Sequence, residues 1–224
     1  MTTHHAPLDT VLLLLVNLVI WSFVEWWVHR TIMHRRRLPG FVYRLLPYFE
    51  AAYRNHAVLH HHIYYEIYDH EPDERGRELN LRFHVPDNVS SNLLLAPLHA
   101  FYLFVNPLGS LALVVMITLY MVAWNILHVE MHMPSNRWYF RQPLFRFLNR
   151  HHYMHHAHPR QNFNVVLPLP DYLLGTVARP TRAEREAMAA YGLYGDRRGV
   201  QERRSRPAAR REAIGLTPAR TPSA

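Results

Sequence analysis

Residues Arg150 to His158 contain the densest group of possible metal ligands in the chain. Five of these nine residues are histidines, and His152, His155 and His156 have the spacing H-x-x-H-H. On an α-helix, residues three and four positions apart share a face, so three imidazole rings can converge on one point. Neutral imidazole is the commonest metal ligand in proteins and suits iron, zinc, copper and nickel. The spacing therefore predicts a metal site.

Three more histidine boxes precede this one, which we call box four. Boxes one to three are His29 and His34 (H-x4-H), His56, His60 and His61 (H-x3-H-H), and His128 and His132 (H-x3-H). Together the four boxes use 10 of the 18 histidines. Two boxes lie at the ends of long apolar segments, where unpaired polar rings would be costly. A solvated histidine run suits the terminal pair His4 and His5 but not the boxes, so we expect metal binding.

The composition narrows the possible functions. The chain has no cysteine, which excludes disulfides, thiolate metal sites and cysteine nucleophiles. All 25 basic residues are arginine, and the net charge is +8. No nucleic-acid-binding motif accompanies this charge, so it favours anionic lipid headgroups over nucleic acid as the partner. The length of 224 residues suits one domain with a substantial core.

Apolar segments predict an integral membrane protein. The stretch from Leu8 to Trp27 is long enough to span a hydrocarbon core of about 30 Å, and it lacks the flanks of a cleavable signal peptide. Arg30 and the run Arg35 to Arg37 follow it. By the positive-inside rule, this end of the segment is cytoplasmic and the N-terminus lies outside.

Two more apolar segments form a predicted helical hairpin. The first, Ser91 to Val105, is short for a span and is expected to kink at Pro97. A turn at Asn106 to Gly109 leads into a third span, Leu108 to Leu127. The hairpin returns the chain to the cytoplasmic side, so box three lies at the same membrane face as box one.

These patterns predict an all-α, integral membrane helical protein with about three spans and its histidine boxes at the cytoplasmic face. The boxes are expected to form a histidine-rich dimetal site, since ten box histidines are too many for one six-coordinate ion. We assign residues 1–176 to the membrane domain and residues 177–224 to an arginine-rich, largely disordered tail. Within the tail, one short amphipathic helix is plausible around residues 182–191.

Carboxylates beside the boxes are candidates to orient the histidine rings. Glu25 lies four residues before His29, and we expect it to accept the second ring N–H of His29. The alternative is an interfacial glutamate paired with a nearby arginine. Glu66 and Asp69 follow box two and offer further carboxylates.

The four boxes resemble those of the fatty acid hydroxylase (sterol desaturase) superfamily of integral-membrane di-iron enzymes. Two flanking signatures strengthen the resemblance. Glu25, His29, Arg30 and His34 match E-x3-H-R-x3-H, and residues 162–176 match N-F-x4-P-x2-D-x-L-x-G-T. The resemblance covers roughly residues 10–176.

The resemblance implies that about three spans carry a cytoplasmic helical cap that holds two iron ions. Such an enzyme uses O2 as co-substrate and acts on an unactivated C–H bond of a lipid. Zinc is also expected in purified protein, because imidazole sites bind it tightly. Glu130, Asn162 and Asp171 join the residues expected to support the ligands. Box two has three intervening residues where many relatives have two, which weakens the case for His56. The ligands carried over from the family are His29, His34, His56, His60, His61, His128, His132, His152, His155 and His156.

The functional prediction is a fatty acid hydroxylase or desaturase in a bacterial inner membrane. No fused haem-domain motif is present, so electrons are expected from a separate redox donor. A sterol or carotenoid ring hydroxylase is the alternative within the same chemistry. A membrane protein that handles metal is the alternative of another class, but transport needs a polar path across the bilayer, whereas here the histidines gather at one face.

Overall fold

The computed structural model describes residues 6–64, 68, 82–133 and 137–194. Within these ranges every regular element is helical, which confirms the all-α class. The α-helices are α1 (Ala6–Val28), α2 (Gly40–Leu45), α3 (Pro47–Tyr53), α4 (Val85–Leu94), α5 (Ala96–Val105), α6 (Pro107–His132), α7 (Pro143–Ala157), α8 (Leu169–Leu173) and α9 (Arg182–Ala190). Two π-helical segments, π1 (His29–Met33) and π2 (Arg54–Tyr64), continue α1 and α3, and a 3₁₀ helix covers Trp138–Arg141.

Two helices are long and apolar enough to cross a membrane, namely Val11–Met33 and Pro107–His132. A third candidate span is the pair α4 and α5, which is bent by 64° at Leu95. Pro97 lies in the first turn of α5, where the N–H that proline lacks would have no partner within the helix. A proline in the middle of one continuous helix would break its hydrogen bonding, which agrees with the bend just before Pro97. The structure therefore has two to three candidate spans, in keeping with an integral membrane helical protein.

The hairpin of α5 and α6 sets the direction of the bundle. Asn106 ends α5, and its side chain accepts the backbone N–H of Leu108 at the start of α6. Gly109 permits close packing, because a Cβ there would lie 2.3 Å from the ring of Tyr102. Helix α6 then packs along α1, with Leu113 fully buried between the helices. As a result, box one, which follows α1, and box three, in the last turns of α6, lie at the same end of the bundle.

A second core is centred on residues 137–194, which we call the cap, where α7 packs with the chain that follows it. Phe145 and Met154 of α7 are buried with Val165 and with Met188 of α9. The packed structure extends past residue 176, because Leu193 is fully buried and Arg146 donates to the carbonyl of Tyr194 (2.7 Å). The short helix expected around residues 182–191 is present as α9, with a capping box between Thr181 and Glu184. Residues 195–224 of the predicted tail lie outside the described residues.

A chain ending at residue 194 is expected to keep its melting temperature and metal content, because it keeps every buried residue and every cluster histidine of the described ranges. A chain ending at residue 180 should melt at a lower temperature. It loses Met188 and Leu193, and burial of each such side chain contributes about 1.5–3 kcal/mol. Thermal melting and elemental analysis of the two purified proteins test this difference. Unfolding of the 194-residue chain would show that the remaining tail stabilises the cap.

Candidate metal centre

The ten box histidines come together as two clusters of five at the cap end of the bundle. In each cluster one nitrogen from every ring lies within 4.8 Å of the other four. Eight of the ten side chains are buried, and His34 and His156 are partly exposed. The first cluster is His29, His34, His56, His61 and His155, and the second is His60, His128, His132, His152 and His156.

The two π-helical segments explain how box one and box two reach the first cluster. Successive residues of an α-helix are about 100° apart, so residues five apart face different directions. In a π-helix the N–H of residue i+5 bonds to the carbonyl of residue i, which aligns such residues. His34 N donates to His29 O (3.0 Å), and the two rings meet in the first cluster. His56 and His61 are also five apart, lie on π2 and belong to the same cluster.

Boxes two and four are each divided between the clusters. In box four, His155 belongs to the first cluster, whereas His152 and His156 belong to the second. The expectation that the three rings converge on one point is therefore wrong. His155 and His156 are neighbours on α7, so their rings point about 100° apart and reach two different centres. Box two divides likewise, because His60 faces the second cluster while its neighbour His61 faces the first.

The distances between ring nitrogens are those of ligands around one ion. In the first cluster the Nε2 atoms of His29, His34 and His56 form a triangle with sides of 2.6, 3.1 and 3.2 Å. In the second, the Nε2 atoms of His132 and His152 are 3.0 Å apart. Hydrogen bonds between neutral rings do not account for such a triangle, because each ring carries one N–H. With metal–nitrogen bonds of about 2.0–2.1 Å, two ligands at a right angle are about 3.0 Å apart. Both clusters therefore fit a metal ion.

Backbone carbonyls orient three of the rings. His29 Nδ1 bonds to Phe163 O, His155 Nδ1 bonds to Gln161 O (2.8 Å), and His132 Nδ1 bonds to Tyr68 O. A carbonyl oxygen only accepts, so each Nδ1 carries the hydrogen, and the lone pair of a neutral ring is on Nε2, facing the cluster. Sequence reasoning missed these partners because every residue type has a backbone carbonyl. Glu66 and Asp69, the carboxylates expected to serve here, lie outside the described residues.

Glu25 does not accept the ring N–H of His29, and that expectation is wrong. His29 Nδ1 already donates its hydrogen bond to Phe163 O. Glu25 is buried and accepts from Tyr120 Oη (2.5 Å), Asn164 Nδ2 (2.8 Å) and Val165 N (3.0 Å). These donors satisfy a carboxylate that would otherwise be costly to bury. Glu25 therefore holds the loop that contains Phe163 and influences His29 through it.

Asp171 holds the same loop by its backbone N–H groups. It accepts hydrogen bonds from the backbone N–H groups of Phe163 (2.9 Å) and Asn164 (2.8 Å). It also accepts from Thr176 Oγ1 (2.7 Å) and contacts His151 Nε2 (3.0 Å). The carboxylate is fully buried. Its bonds fix the loop of residues 161–165, which presents the carbonyls of Gln161 and Phe163 to the first cluster.

Asn162 stabilises the turn at the start of this loop. Its φ is +55°, in the left-handed region that asparagine tolerates. Its side chain accepts from Ala178 N (2.6 Å) and donates to His151 O (3.2 Å). Glu130, the other polar residue expected to support the ligands, is buried and accepts from Tyr139 Oη (3.5 Å).

Burial favours the neutral, metal-binding form of the rings. Desolvation is the main cause that lowers the pKa of the seven box histidines outside the two long candidate spans, and it brings the pKa of His155 to about 4. An unfolded histidine, with an ordinary pKa of 6.5, takes up a proton more readily than these buried rings. Falling pH below 6.5 therefore weakens both folding and metal binding, because protons and metal compete for the same nitrogens.

A cavity of about 640 Å³ adjoins the first cluster. His29 and His56 form part of its wall, and no histidine of the second cluster is among its described lining residues. Trp21, Val24 and Ile32 line the side formed by α1 and π1. The cavity thus brings an apolar volume between candidate membrane helices next to a metal-ligand cluster, and its size is typical of small-molecule sites.

The fold and the clusters define an integral membrane helical protein with two histidine clusters that could each hold a metal ion. Comparison with protein families gives a match to the fatty acid hydroxylase family over residues 14–176. The chain belongs to this family, the sterol desaturase/fatty acid hydroxylase superfamily, as the histidine boxes predicted. A search of curated proteins and a search of solved structures found no significant match.

Substitution of His152 and of His151 separates a predicted metal ligand from a residue that supports the ligands. His152 is fully buried in the second cluster, whereas His151 lies between Asp171 and Asn162. His152→Ala is therefore expected to remove metal from the second cluster and halve the metal content of the chain. His151→Ala is expected to keep both metals but to lower the melting temperature. Elemental analysis with thermal melting tests both variants, and the reverse metal pattern would mean that the register of box four is H-x3-H-H.

Asp171→Asn should weaken the first cluster selectively. An amide nitrogen cannot accept the N–H groups of the 161–165 loop, so His29 and His155 lose well-placed carbonyl partners. Loss of such a supporting group typically costs 10–100-fold in metal affinity. Metal titration should show one weakened site and one unchanged site. Equal weakening of both sites would contradict the assignment of this loop to the first cluster.

Proposed function

We propose that this protein is a membrane-bound, non-haem di-iron oxygenase that hydroxylates or desaturates a lipid acyl chain. The observation that carries the proposal is the contact between the apolar cavity and the first histidine cluster, through His29 and His56. Membership of the fatty acid hydroxylase family supports an oxidoreductase of this general kind.

The all-nitrogen donor set suits iron. Each cluster offers five imidazoles and no thiolate, since the chain has no cysteine. Five ligands leave one position of a six-coordinate ion for a small molecule. When bound, the two irons supply the O2-dependent oxidation of an unactivated C–H bond. The five residues of each cluster hold the metals, and the wall of the cavity positions the substrate and excludes water.

The chain itself orders the reacting groups. The carbonyls of Phe163 and Gln161 hold two rings of the first cluster in one tautomer, so no proton has to move when metal binds there. Trp21 and Tyr120 pack edge to face beside the cavity, with ring centroids 6.3 Å apart, which keeps the apolar end rigid. A fixed hydrocarbon beside a fixed metal centre gives the selectivity that oxidation of a uniform acyl chain requires.

The proposed topology has three crossings, with the metal centre at the cytoplasmic face. Helices α1 and α6 both end at the centre, so the chain between them must return across the bilayer through α4 and α5. The arginines that follow α1 favour the cytoplasm for this face. Electrons would come from a separate redox donor at that face.

The native chain has no cysteine, so single cysteines report the topology directly. Leu108→Cys, in the exposed first turn of α6, is expected to react with an impermeant maleimide added outside cells. Arg160→Cys, after α7, is expected to react only after the cells are opened. Labelling of both positions from the outside would exclude the proposed orientation.

Lipid analysis under ¹⁸O2 tests the reaction. Cells that express the chain are expected to accumulate an acyl lipid with one oxygen derived from O2, or with two fewer hydrogens. His152→Ala should abolish the product, whereas His62→Ala, a change at an exposed histidine outside both clusters, should not. A modified sterol or carotenoid instead would support the ring hydroxylase. Metal accumulation without any changed lipid would support the metal-handling alternative.

A further inference from the structure

The cavity beside the first cluster has ends of different polarity. The end between α1 and α6 is mostly apolar, with Trp21, Met121 and Trp124 buried there, and the carboxylate that α1 adds, Glu25, is hydrogen-bonded to Tyr120. Polar residues from α3, π2, α4 and the residues just before α4 line the rest of the wall, which we call the mouth. Several of them are exposed to solvent. The mouth consists of Tyr48, Asn55, Arg82, His84, Asp87, Ser90 and Ser91.

A bridge between Tyr48 and Asp87 crosses the mouth. Tyr48 Oη donates to Asp87 Oδ1, which joins α3 to α4. His84 N donates to Asp87 Oδ2 (2.5 Å) at the start of α4. Burial, followed by the bond to Asp87, raises the pKa of Tyr48, so its hydroxyl remains a donor. A carboxylate has about four acceptor positions, so two positions of Asp87 remain for a bound molecule.

Tyr48 of the mouth and His56 of the first cluster lie on one continuous helical segment, formed by α3 and π2. Tyr48 of α3 precedes His56 of π2 by eight residues, and both line the cavity. At 1.5 Å per residue this separation is about 12 Å. A molecule held at the mouth can therefore extend its hydrocarbon part past His56 and His29 toward Trp21.

The charges at the mouth favour a neutral headgroup. Among the described lining residues, Arg82 and Asp87 contribute one positive and one negative charge here. An anionic group beside Asp87 would meet like charge, and a cationic group would meet Arg82. A hydroxyl suits both, because it can donate to Asp87 and accept from the guanidinium, Asn55 or Ser90.

We infer that Asp87, positioned by Tyr48, binds the hydroxyl of a neutral lipid headgroup whose hydrocarbon part reaches the first cluster. This inference rests on the proposed function and assigns the substrate class of the same site. Tyr48 and Asp87 would then determine specificity without touching the metals.

Lipid binding by the full-length, zinc-loaded protein in nanodiscs tests the inference without turnover. The probes are a monoacylglycerol, the fatty acid and the alkylamine of the same chain length, each measured by displacement of a fluorescent lipid. The native protein is expected to bind the monoacylglycerol at least tenfold more tightly than either charged probe. Asp87→Asn and Tyr48→Phe should each weaken monoacylglycerol binding several-fold, with zinc content unchanged.

The matched controls make the same chemical changes elsewhere. Glu186→Gln alters an exposed carboxylate that pairs with Arg182, and Tyr194→Phe alters an exposed tyrosine ring beside Arg150. Neither should affect binding. Tighter binding of either charged probe, or unchanged monoacylglycerol binding by both mouth variants, would overturn the inference. Because Tyr48→Phe leaves the Asp87 bond to His84 N intact, it keeps the test valid if Asp87→Asn misfolds. Selective binding without any oxidised product would instead overturn the proposed function alone.

Discussion

The structure depends on keeping ten imidazole rings neutral and aimed at two points inside a packed helical bundle. Burial makes the neutral form the favoured one, and it does so most clearly for rings such as His60 and His152, which are fully buried. Neutral rings packed nitrogen to nitrogen gain little from each other, since each has one donor. A metal ion in each cluster would satisfy these nitrogens where water cannot reach them, and its binding would then be coupled to folding.

The loop of residues 161–165 orients two of these rings. It is held by two buried carboxylates, Glu25 from a candidate membrane span and Asp171 from the cap. The loop in turn presents the carbonyls of Gln161 and Phe163 to His155 and His29. One short segment therefore couples the membrane helices to the first cluster, which explains why these carboxylates are near the site without being ligands.

The two clusters have different surroundings, although each has five histidines. The first borders the cavity and takes its rings from π1, from the residue that follows π1, from π2 and from α7. The second takes four of its five rings from α6 and α7 and lies away from the described wall of the cavity. Under the proposed function, this asymmetry would place the substrate nearer to the first cluster than to the second. The first cluster contains two pairs of histidines that are five residues apart, and π-helical winding allows the members of each pair to share a face.

The sequence alone determined the class of the protein. Histidine spacing, apolar segment length and the absence of cysteine were sufficient to predict an all-α membrane protein, its family and the ten histidines that the structure gathers. These are local properties, since residue type and spacing are enough to indicate a helix, a span or a metal-binding pattern. Even the short helix α9 was visible in its local pattern, although the packing of Leu193 against the cap was not.

Only the tertiary structure decided how the histidines are divided and what orients them. Box four has a spacing typical of one shared face, yet His155 joins a different cluster from His152 and His156 because rings on the other helices complete two centres around α7. Glu25 has the spacing of a partner for His29, but a backbone carbonyl from residue 163, distant in the chain, takes that place. Competition between distant groups for one nitrogen depends on their positions in space, and residue spacing does not contain that information.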